Sequence, residues 1–417
     1  MRSSRLRYSV GVLVGCAVAA FLILGALPAV AKDKGPLPRV VTRTAQGPKS
    51  ATWWQKHKGF FYAGTDPSLP AVFLIHGNHN SAKDWTKPSH LEQHYDYRDH
   101  PGKKRIGKKS APNAGIYKVA ASPWLKVDDQ SWVGFLRAKG YTVGGYSQSP
   151  GTIAEVMDEA EEGLDQFLRD TAALGASSPP AVAILAHSRG GLISRHLLKR
   201  KGSAGRVTCL ITLHSPHQGS EMAVAPQRLA DEAVDAIGGA HLPEPFESEL
   251  RSLARSIASP LRAMIDDQSR ELRPGSPMYL ALENGERPLD GVRYFTFGGT
   301  NPNYYRFYAW TFTPMSSVPQ YKGLEQYFVW AVKPAEIGPA SPMYASVRHV
   351  VPEITPGKGD GLVSDVRAHL PEAFHAVHVT QDLNHAEVLW DRTLQSRVDQ
   401  ILRGGSRTAA TAAPRIR

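Results

Sequence analysis

The chain has 417 residues, of which 42% are hydrophobic and 21% charged, so it can bury a substantial core and is not disordered as a whole. The formal net charge is +11 at pH 7, but the basic residues are scattered. Their densest group, Lys103 to Lys109, lies in a Gly/Pro-rich stretch typical of a solvated loop, which argues against a nucleic-acid partner. Contact with an anionic membrane surface is compatible with this charge, and no pattern specifies an oligomeric state.

Residues 1–31 have the pattern of a signal peptide. Three arginines among the first seven residues precede an uncharged stretch that ends in Ala29-Val30-Ala31, which predicts cleavage after Ala31. The alternative is a retained anchor, because the uncharged stretch is close to the roughly 20 residues that span a bilayer. Either way, the position of the arginines predicts an exported protein, secreted or periplasmic.

The chain contains two cysteines, Cys16 and Cys209. Leu13-Val14-Gly15-Cys16 resembles a lipobox, but the apolar run continues well past Cys16, where a lipoprotein would turn polar. Removal of the signal leaves Cys209 alone, so no intrachain disulfide is expected. Cys209 lies in an apolar run, and we expect a buried, unreactive thiol there.

After a polar lead-in, short apolar runs alternate with helical patterns, which predicts a mainly parallel central sheet with flanking helices. The predicted strands are 71–75, 142–146, 181–185, 207–213, 292–297 and 376–380, and the predicted helices are 132–139, 153–169, 190–199 and 386–403.

One domain is predicted to span residues 32–403, with a tail after it. A mostly helical stretch within about 221–290 is predicted to be a lid or cap insertion. The aromatic-rich segment 304–330 is interpreted as packing beneath a long connection or as an acyl-binding or membrane-contact surface. The small and basic residues 404–417 are typical of a disordered tail.

The segment Ala186-His187-Ser188-Arg189-Gly190 joins a fully apolar strand to a helix. This strand, turn and helix is the context of the G-x-S-x-G nucleophile motif, with Ala186 in place of the first glycine. Small residues at Ala186 and Gly190 allow the helix to approach the strand closely. The sequence therefore predicts Ser188 as a nucleophile.

A serine nucleophile needs a base that is oriented by an acid, and on this kind of fold they follow in the order Ser, Asp or Glu, His. Asp360 lies in a loop flanked by glycines, and His385 lies between the last strand and the last helix. We predict that these residues are the acid and the base. The alternative acids are Asp365 and Asp382, and other histidines expected near the site are His187, His214 and His217.

The tetrahedral intermediate of acyl transfer needs backbone N–H donors at its oxyanion. The residue after the nucleophile, Arg189, supplies one predicted donor. The other is Asn78, which follows His76-Gly77 at the end of the first apolar strand.

Taken together, these motifs resemble the bacterial secreted triacylglycerol lipases and their esterase relatives within the α/β-hydrolase superfamily. Further segments that resemble this family are 191–195, 212–220, 359–364 and Asn384 before His385. The resemblance implies the α/β-hydrolase fold, a mobile helical lid and hydrolysis of carboxylic esters, with lipid or acylglycerol esters as expected substrates. Some relatives hold calcium through an acid two residues beyond the base, where this chain has Glu387.

The chemistry requires no cofactor, although a calcium or zinc ion is an alternative. The long stretch between residues 78 and 130 contains several metal-ligating residue types, namely His90, His94, Asp96, Asp99 and His100. The expected activity is that of a lipase or esterase. The alternatives are an acyltransferase or amidase that acts on envelope components, and a lipid-binding protein without catalysis.

Overall fold

The computed structural model describes residues 53–78, 80–88, 115–118, 127–175, 181–202, 206–223, 267–302, 305–314, 330–336 and 351–404. The predicted signal peptide, the basic tail after residue 404, the Lys103 to Lys109 group and most of the predicted lid lie outside these ranges. No helix in the described ranges is long and apolar enough to cross a membrane.

Ten strands in the described residues form two sheets. In chain order they are β1 Phe60–Tyr62, β2 Ala71–Ile75, β3 Gly115–Lys118, β4 Val143–Gly145, β5 Val182–His187, β6 Val207–Leu213, β7 Arg293–Gly299, β8 Tyr305–Pro314, β9 Trp330–Glu336 and β10 Val377–Gln381. The larger sheet has seven strands in the order β1-β4-β2-β5-β6-β7-β10. Neighbouring strands in this sheet are parallel, except that β1 is antiparallel to β4. The predicted mainly parallel sheet is therefore confirmed.

The second sheet is antiparallel and was not predicted from the sequence. It has three strands in the order β3-β8-β9. Strand β8 runs through the aromatic-rich segment, which the sequence analysis treated only as packing or as a contact surface. Aromatic side chains favour strands, so the composition of this segment also agrees with β-structure.

Seven α-helices lie in the described residues: α1 Lys83–Thr86, α2 Trp132–Ala138, α3 Ile153–Ala172, α4 Arg189–Lys201, α5 Asp267–Glu271, α6 Pro277–Glu283 and α7 Arg392–Leu402. The start of α3 is fixed by a capping box, in which Thr152 accepts from Glu155 N and the Glu155 carboxylate accepts from Thr152 N. The predicted lid is described only at its ends, which include α5 and α6, so the lid stays a prediction.

The prediction of one helix over residues 386–403 is wrong. A short 3₁₀ turn, Glu387–Leu389, comes first, and α7 begins only after Asp391. The Asp391 carboxylate accepts a hydrogen bond of 2.7 Å from Leu394 N. An aspartate in this position satisfies a first-turn N–H that has no partner within the helix, which explains why the helix starts there.

Both faces of the larger sheet are buried, as expected for a parallel sheet covered by helices. Successive side chains of β2 point to opposite faces: Val72 and Leu74 belong to one core, and Phe73 and Ile75 to the other. Helices α2 and α7 pack on the first face, and α3 and α4 on the second. Cys209 is buried and forms no disulfide, and burial raises its pKa to about 12.

Candidate active site

Parallel strands bring their carboxyl ends to one edge of a sheet, and the predicted site residues follow such ends. Ser188 lies between β5 and α4 with φ 55° and ψ −131°, an unusual conformation for a residue other than glycine. A Cβ atom at Gly190 would lie 2.5 Å from the carbonyl oxygen of Ile75 and 2.6 Å from that of His76. Because α4 approaches β2 this closely, only glycine fits at position 190, and the tight turn presents Ser188 above the sheet.

A chain of hydrogen bonds joins Ser188 to His385 and Asp360. The Ser188 Oγ atom is 2.9 Å from His385 Nε2, and His385 Nδ1 is 2.8 Å from Asp360 Oδ2. All three residues are buried. A carboxylate can only accept, so His385 donates through Nδ1, and Nε2 is left to accept from the Ser188 hydroxyl.

The loop around Asp360 fixes its carboxylate. Asp360 Oδ1 accepts from the backbone N–H groups of Leu362 at 2.8 Å and Val363 at 2.7 Å. Gly361 turns the chain at φ 98°, a conformation that favours glycine. Burial alone would raise the pKa of Asp360, but His385 and His214 beside it outweigh burial and hold the pKa below its usual range. The carboxylate is therefore ionised at neutral pH.

The structure does not bring the alternative acids to His385. Asp365 Oδ1 lies 3.0 Å from His378 Nε2, and Asp365 Oδ2 accepts from Thr380 at 2.8 Å. Asp382 is exposed to solvent.

The other predicted histidines surround the site without reaching the Ser188 hydroxyl. His187 Nε2 donates to the carbonyl oxygen of His385 at 2.9 Å, and His214 Nδ1 lies 2.7 Å from Asp360 Oδ2. His217 Nε2 lies 2.8 Å from Thr212 Oγ1. Burial lowers the pKa of all three imidazoles, which favours their neutral forms.

His76 and Gly77 shape the loop beside Ser188. A Cβ atom at Gly77 would lie 2.8 Å from Ser188 Cβ, so a side chain there would collide with the serine. His76 Nε2 accepts from Gln148 N at 2.9 Å, and His76 Nδ1 donates to the carbonyl oxygen of Gly77 at 2.8 Å. Burial lowers the pKa of His76, so its neutral imidazole cross-links this loop to the loop after β4.

The two predicted oxyanion donors lie next to these elements. Asn78 follows Gly77, and Arg189 is the first residue of α4. Within the described residues, neither backbone N–H has an acceptor. Their role as oxyanion donors stays a prediction.

The Arg189 side chain forms a buried ion pair that the sequence analysis missed. Arg189 Nε donates to Glu271 Oε1 at 2.7 Å, and Arg189 Nη2 donates to the carbonyl oxygen of Gly151 at 2.6 Å. Glu271 Oε2 accepts from Ile153 N at 2.7 Å. Burial raises the pKa of Glu271 despite Arg189. The pair joins α4, the start of α3 and α5, and its partners lie far apart in the sequence, so no local motif indicates it.

A cavity of about 240 Å³ opens beside this loop. The Gln148 side-chain amide in its wall has no hydrogen-bond partner among the described residues. The described residues that line the cavity are His76, Gly77, Asn80, Gln148, Ser149, Pro150, Arg189 and Gln268. Most of these residues have polar side chains, so this part of the wall can contact a polar portion of a ligand.

The residues considered for a metal fall into two groups. His90, His94, Asp96, Asp99 and His100 lie outside the described residues. Glu387 Oε2 accepts a 2.8 Å hydrogen bond from Asn384 N, and burial raises the pKa of Glu387. Binding of calcium or zinc at these residues stays a prediction.

The order of the strands, the turn at Ser188 and the succession of Ser188, Asp360 and His385 define an α/β-hydrolase fold. A family model described as a PGAP1-like alpha/beta domain matches residues 154–230, which include Ser188. No curated protein matches the chain in sequence.

Solved structures with a similar fold include a lipase of Bacillus licheniformis. Its propeptide form is 17% identical, with a TM-score of 0.44 over 82% of this chain and 53% of that one. The chain therefore spans about half the length of that form. The mature form is 18% identical, with a TM-score of 0.38 over 82% of this chain and 98% of that one. An esterase of Pyrococcus furiosus is 12% identical, with a TM-score of 0.35 over 83% and 84% of the two chains.

Proposed function

We propose that the protein is a serine hydrolase that cleaves carboxylic esters through an acyl-enzyme on Ser188. The observation that carries this proposal is the hydrogen-bonded chain from Ser188 through His385 to the ionised Asp360. A serine hydroxyl is a weak nucleophile until an adjacent base removes its proton, and an acid must hold that base in the correct orientation.

In the acylation step, His385 Nε2 accepts the Ser188 proton while Oγ attacks the carbonyl carbon of the ester. The backbone N–H groups of Asn78 and Arg189 hold the oxyanion of the tetrahedral intermediate. His385 then returns the proton to the leaving alkoxide, the carbon–oxygen bond breaks, and the alcohol departs. This step leaves the acyl group on Ser188.

In the deacylation step, His385 takes a proton from water, and the resulting hydroxide attacks the acyl carbon. The second tetrahedral intermediate collapses, Ser188 regains its proton from His385, and the carboxylic acid leaves. Asp360 accepts from His385 Nδ1 throughout and stabilises the positive imidazolium in both steps.

The proposed substrates are lipid or acylglycerol esters, as the resemblance to secreted lipases implies, and membrane-surface contact belongs to the same proposal. The pattern of residues 1–31 supports export of the protein. Transfer of the acyl group to an acceptor other than water is the alternative use of the same residues.

The proposal is tested with p-nitrophenyl esters of increasing acyl length and with a fluorophosphonate probe. We expect Ser188→Ala to lose turnover and probe labelling, whereas Ser396→Ala, a change at an exposed serine of α7, retains both. Turnover by Ser188→Ala at the wild-type rate would refute the mechanism. If an added alcohol yields mainly a new ester instead of free acid, the protein is an acyltransferase.

A further inference from the structure

A second cluster of ionisable side chains lies outside the proposed catalytic residues. Asp365, His369 and His378 each offer one ligand atom, and these three atoms lie within 4.8 Å of one another. Asp365 begins a 3₁₀ turn, His369 directly follows that turn, and His378 lies on β10. All three residues are half-buried, so the cluster can be reached from solvent.

Two threonine hydroxyl groups contact the cluster and orient two of its side chains. Thr296 Oγ1, on the buried strand β7, lies 2.7 Å from His378 Nδ1. The Thr380 hydroxyl donates to Asp365 Oδ2 at 2.8 Å. Metal-binding imidazoles commonly donate their second ring N–H to a neighbouring oxygen, and metal-binding carboxylates are themselves hydrogen-bonded. With Nδ1 directed at Thr296, His378 presents Nε2 to Asp365 Oδ1 at 3.0 Å.

The backbone makes room for this arrangement. A Cβ atom at Gly298 would overlap Asp365 Oδ1 and would lie 3.0 Å from His378 Cε1. The rings of His369 and His378 are stacked with their centroids 3.5 Å apart.

We propose that Asp365, His369 and His378 bind a divalent transition metal of the zinc class. Two imidazoles and one carboxylate are a zinc ligand set that leaves a fourth position for water, whereas calcium prefers oxygen ligands alone. Ligand atoms held tetrahedrally at about 2.0–2.1 Å from one zinc ion lie roughly 3.3 Å apart. To close the site, the side chains must rotate, and the stacked rings of His369 and His378 must turn apart so that both direct a ring nitrogen at the ion.

A metal at this position would cross-link two segments that lead to the proposed catalytic residues. Asp365 and His369 follow the loop that carries Asp360, and His378 lies on the strand that leads to His385. The ion would replace the proton between His378 and Asp365. Its proposed role is structural because it cross-links these two segments. The proposal does not rest on the hydrolase activity.

The test uses the full chain, freed of metal with a chelator, and calorimetric titration with zinc chloride. We expect one zinc ion per chain and a rise of about 2–4 °C in the thermal midpoint at saturating zinc. Calcium chloride should not compete with zinc, and any effect of calcium on the thermal midpoint should be the same in His369→Gln and His378→Gln as in the wild type. His369→Gln and His378→Gln should each weaken zinc binding by at least about tenfold. The control, His375→Asn, changes an exposed histidine between them and should leave zinc binding unchanged.

A second readout separates this cluster from the active site, where His214, Asp360 and His385 also lie close together. Zinc at the proposed site leaves fluorophosphonate labelling of Ser188 intact, and cobalt in its place gives a visible absorption band that His369→Gln removes. Equal zinc binding by wild type and both glutamine variants would refute the proposal. Loss of labelling at one equivalent of zinc would place the ion at the active site and refute it as well.

Discussion

His214 Nδ1 lies 2.7 Å from Asp360 Oδ2, the same carboxylate oxygen that accepts from His385. His214 is fully buried, has φ 49°, and is held to β7 by a backbone hydrogen bond of 2.8 Å to Phe297. Its backbone is therefore fixed to the sheet, and burial restricts rotation of its imidazole. Two imidazoles approach one oxygen of Asp360, while two backbone N–H groups bind the other. We infer that His214 is a positioning residue for the Asp360 carboxylate.

Replacement of His214 by glycine tests this role. Glycine tolerates positive φ and has no side chain to contact Asp360, whereas the amide of asparagine would take the place of Nδ1. We expect kcat to fall by about 3- to 10-fold, the effect of losing one modest polar contact, with KM unchanged. His375→Gly is the matched control because His375 also has positive φ, 46°, but is exposed. Wild-type kcat in His214→Gly would show that the contact is incidental.

The identity of the acid is tested by Asp360→Asn. The N–H groups of Leu362 and Val363 hold the amide oxygen, so the NH₂ group faces His385 Nδ1 in place of the acceptor that fixes its tautomer. We therefore expect kcat to fall by about 10⁴-fold while the fold is retained. Asp382→Asn, at the exposed alternative acid, should keep wild-type turnover. If Asp382→Asn causes the larger loss, the assignment of Asp360 is wrong.

The sequence predicts those site residues whose roles can be recognised from the residues beside them in the chain. Ser188 is identifiable because an apolar strand, small neighbours and a helix surround it. The glycines beside Asp360 and the position of His385 after the last strand are also visible in the sequence, and the structure brings these three residues together. Local patterns also predict the parallel strands: β2 is a continuous apolar run, whereas β7 and β10 mix apolar with polar residues.

Features that depend on tertiary contacts could not be predicted in this way. The contact of His214 with Asp360 is tertiary, because the two residues lie in separate loops that both pack against Gly299 at the end of β7. The pairing of Arg189 with Glu271 joins distant segments. The break before α7 had a local signal in Asp391, which the apolar periodicity around it obscured.

Glu353 predicts a pH-dependent stability. This residue is fully buried, and burial raises its pKa from 4.5 to about 7, although its Oε1 atom accepts from Glu221 N at 2.8 Å. Because the pKa is higher in the folded state, the folded protein binds more protons between pH 4.5 and 7. The contribution of Glu353 to the free energy of unfolding therefore decreases as pH rises through this window.

Glu353→Gln keeps an acceptor for Glu221 N and cannot ionise. We expect it to raise the free energy of unfolding by about 1–3 kcal/mol at pH 8 and to have little effect near pH 4.5. Urea unfolding at the two pH values measures the difference. Glu372→Gln, at an exposed carboxylate, should change stability at neither pH. An equal effect of Glu353→Gln at both pH values would mean that ionisation of Glu353 is not its cause.

The buried pair of Arg189 and Glu271 predicts strong coupling in a double-mutant cycle. Their side chains are 3% and 8% exposed, so removal of one partner leaves the other buried without its counter-charge. We expect Arg189→Met to lower the free energy of unfolding by about 3–5 kcal/mol. Glu271→Gln, which keeps an acceptor for Ile153 N, should offset part of that loss in the double variant, with a coupling energy of about 1–3 kcal/mol.

The control cycle uses Arg270 and Asp267, whose side chains are 63% and 78% exposed at a similar separation of 2.9 Å. Solvent screens this pair, so Arg270→Met and Asp267→Asn should couple by less than about 0.5 kcal/mol. Urea unfolding of both cycles at one pH and ionic strength measures the contrast. Coupling in the buried pair as weak as in the exposed pair would mean that the contacts of Arg189 with Gly151, and not the ion pair, join α4 to the start of α3.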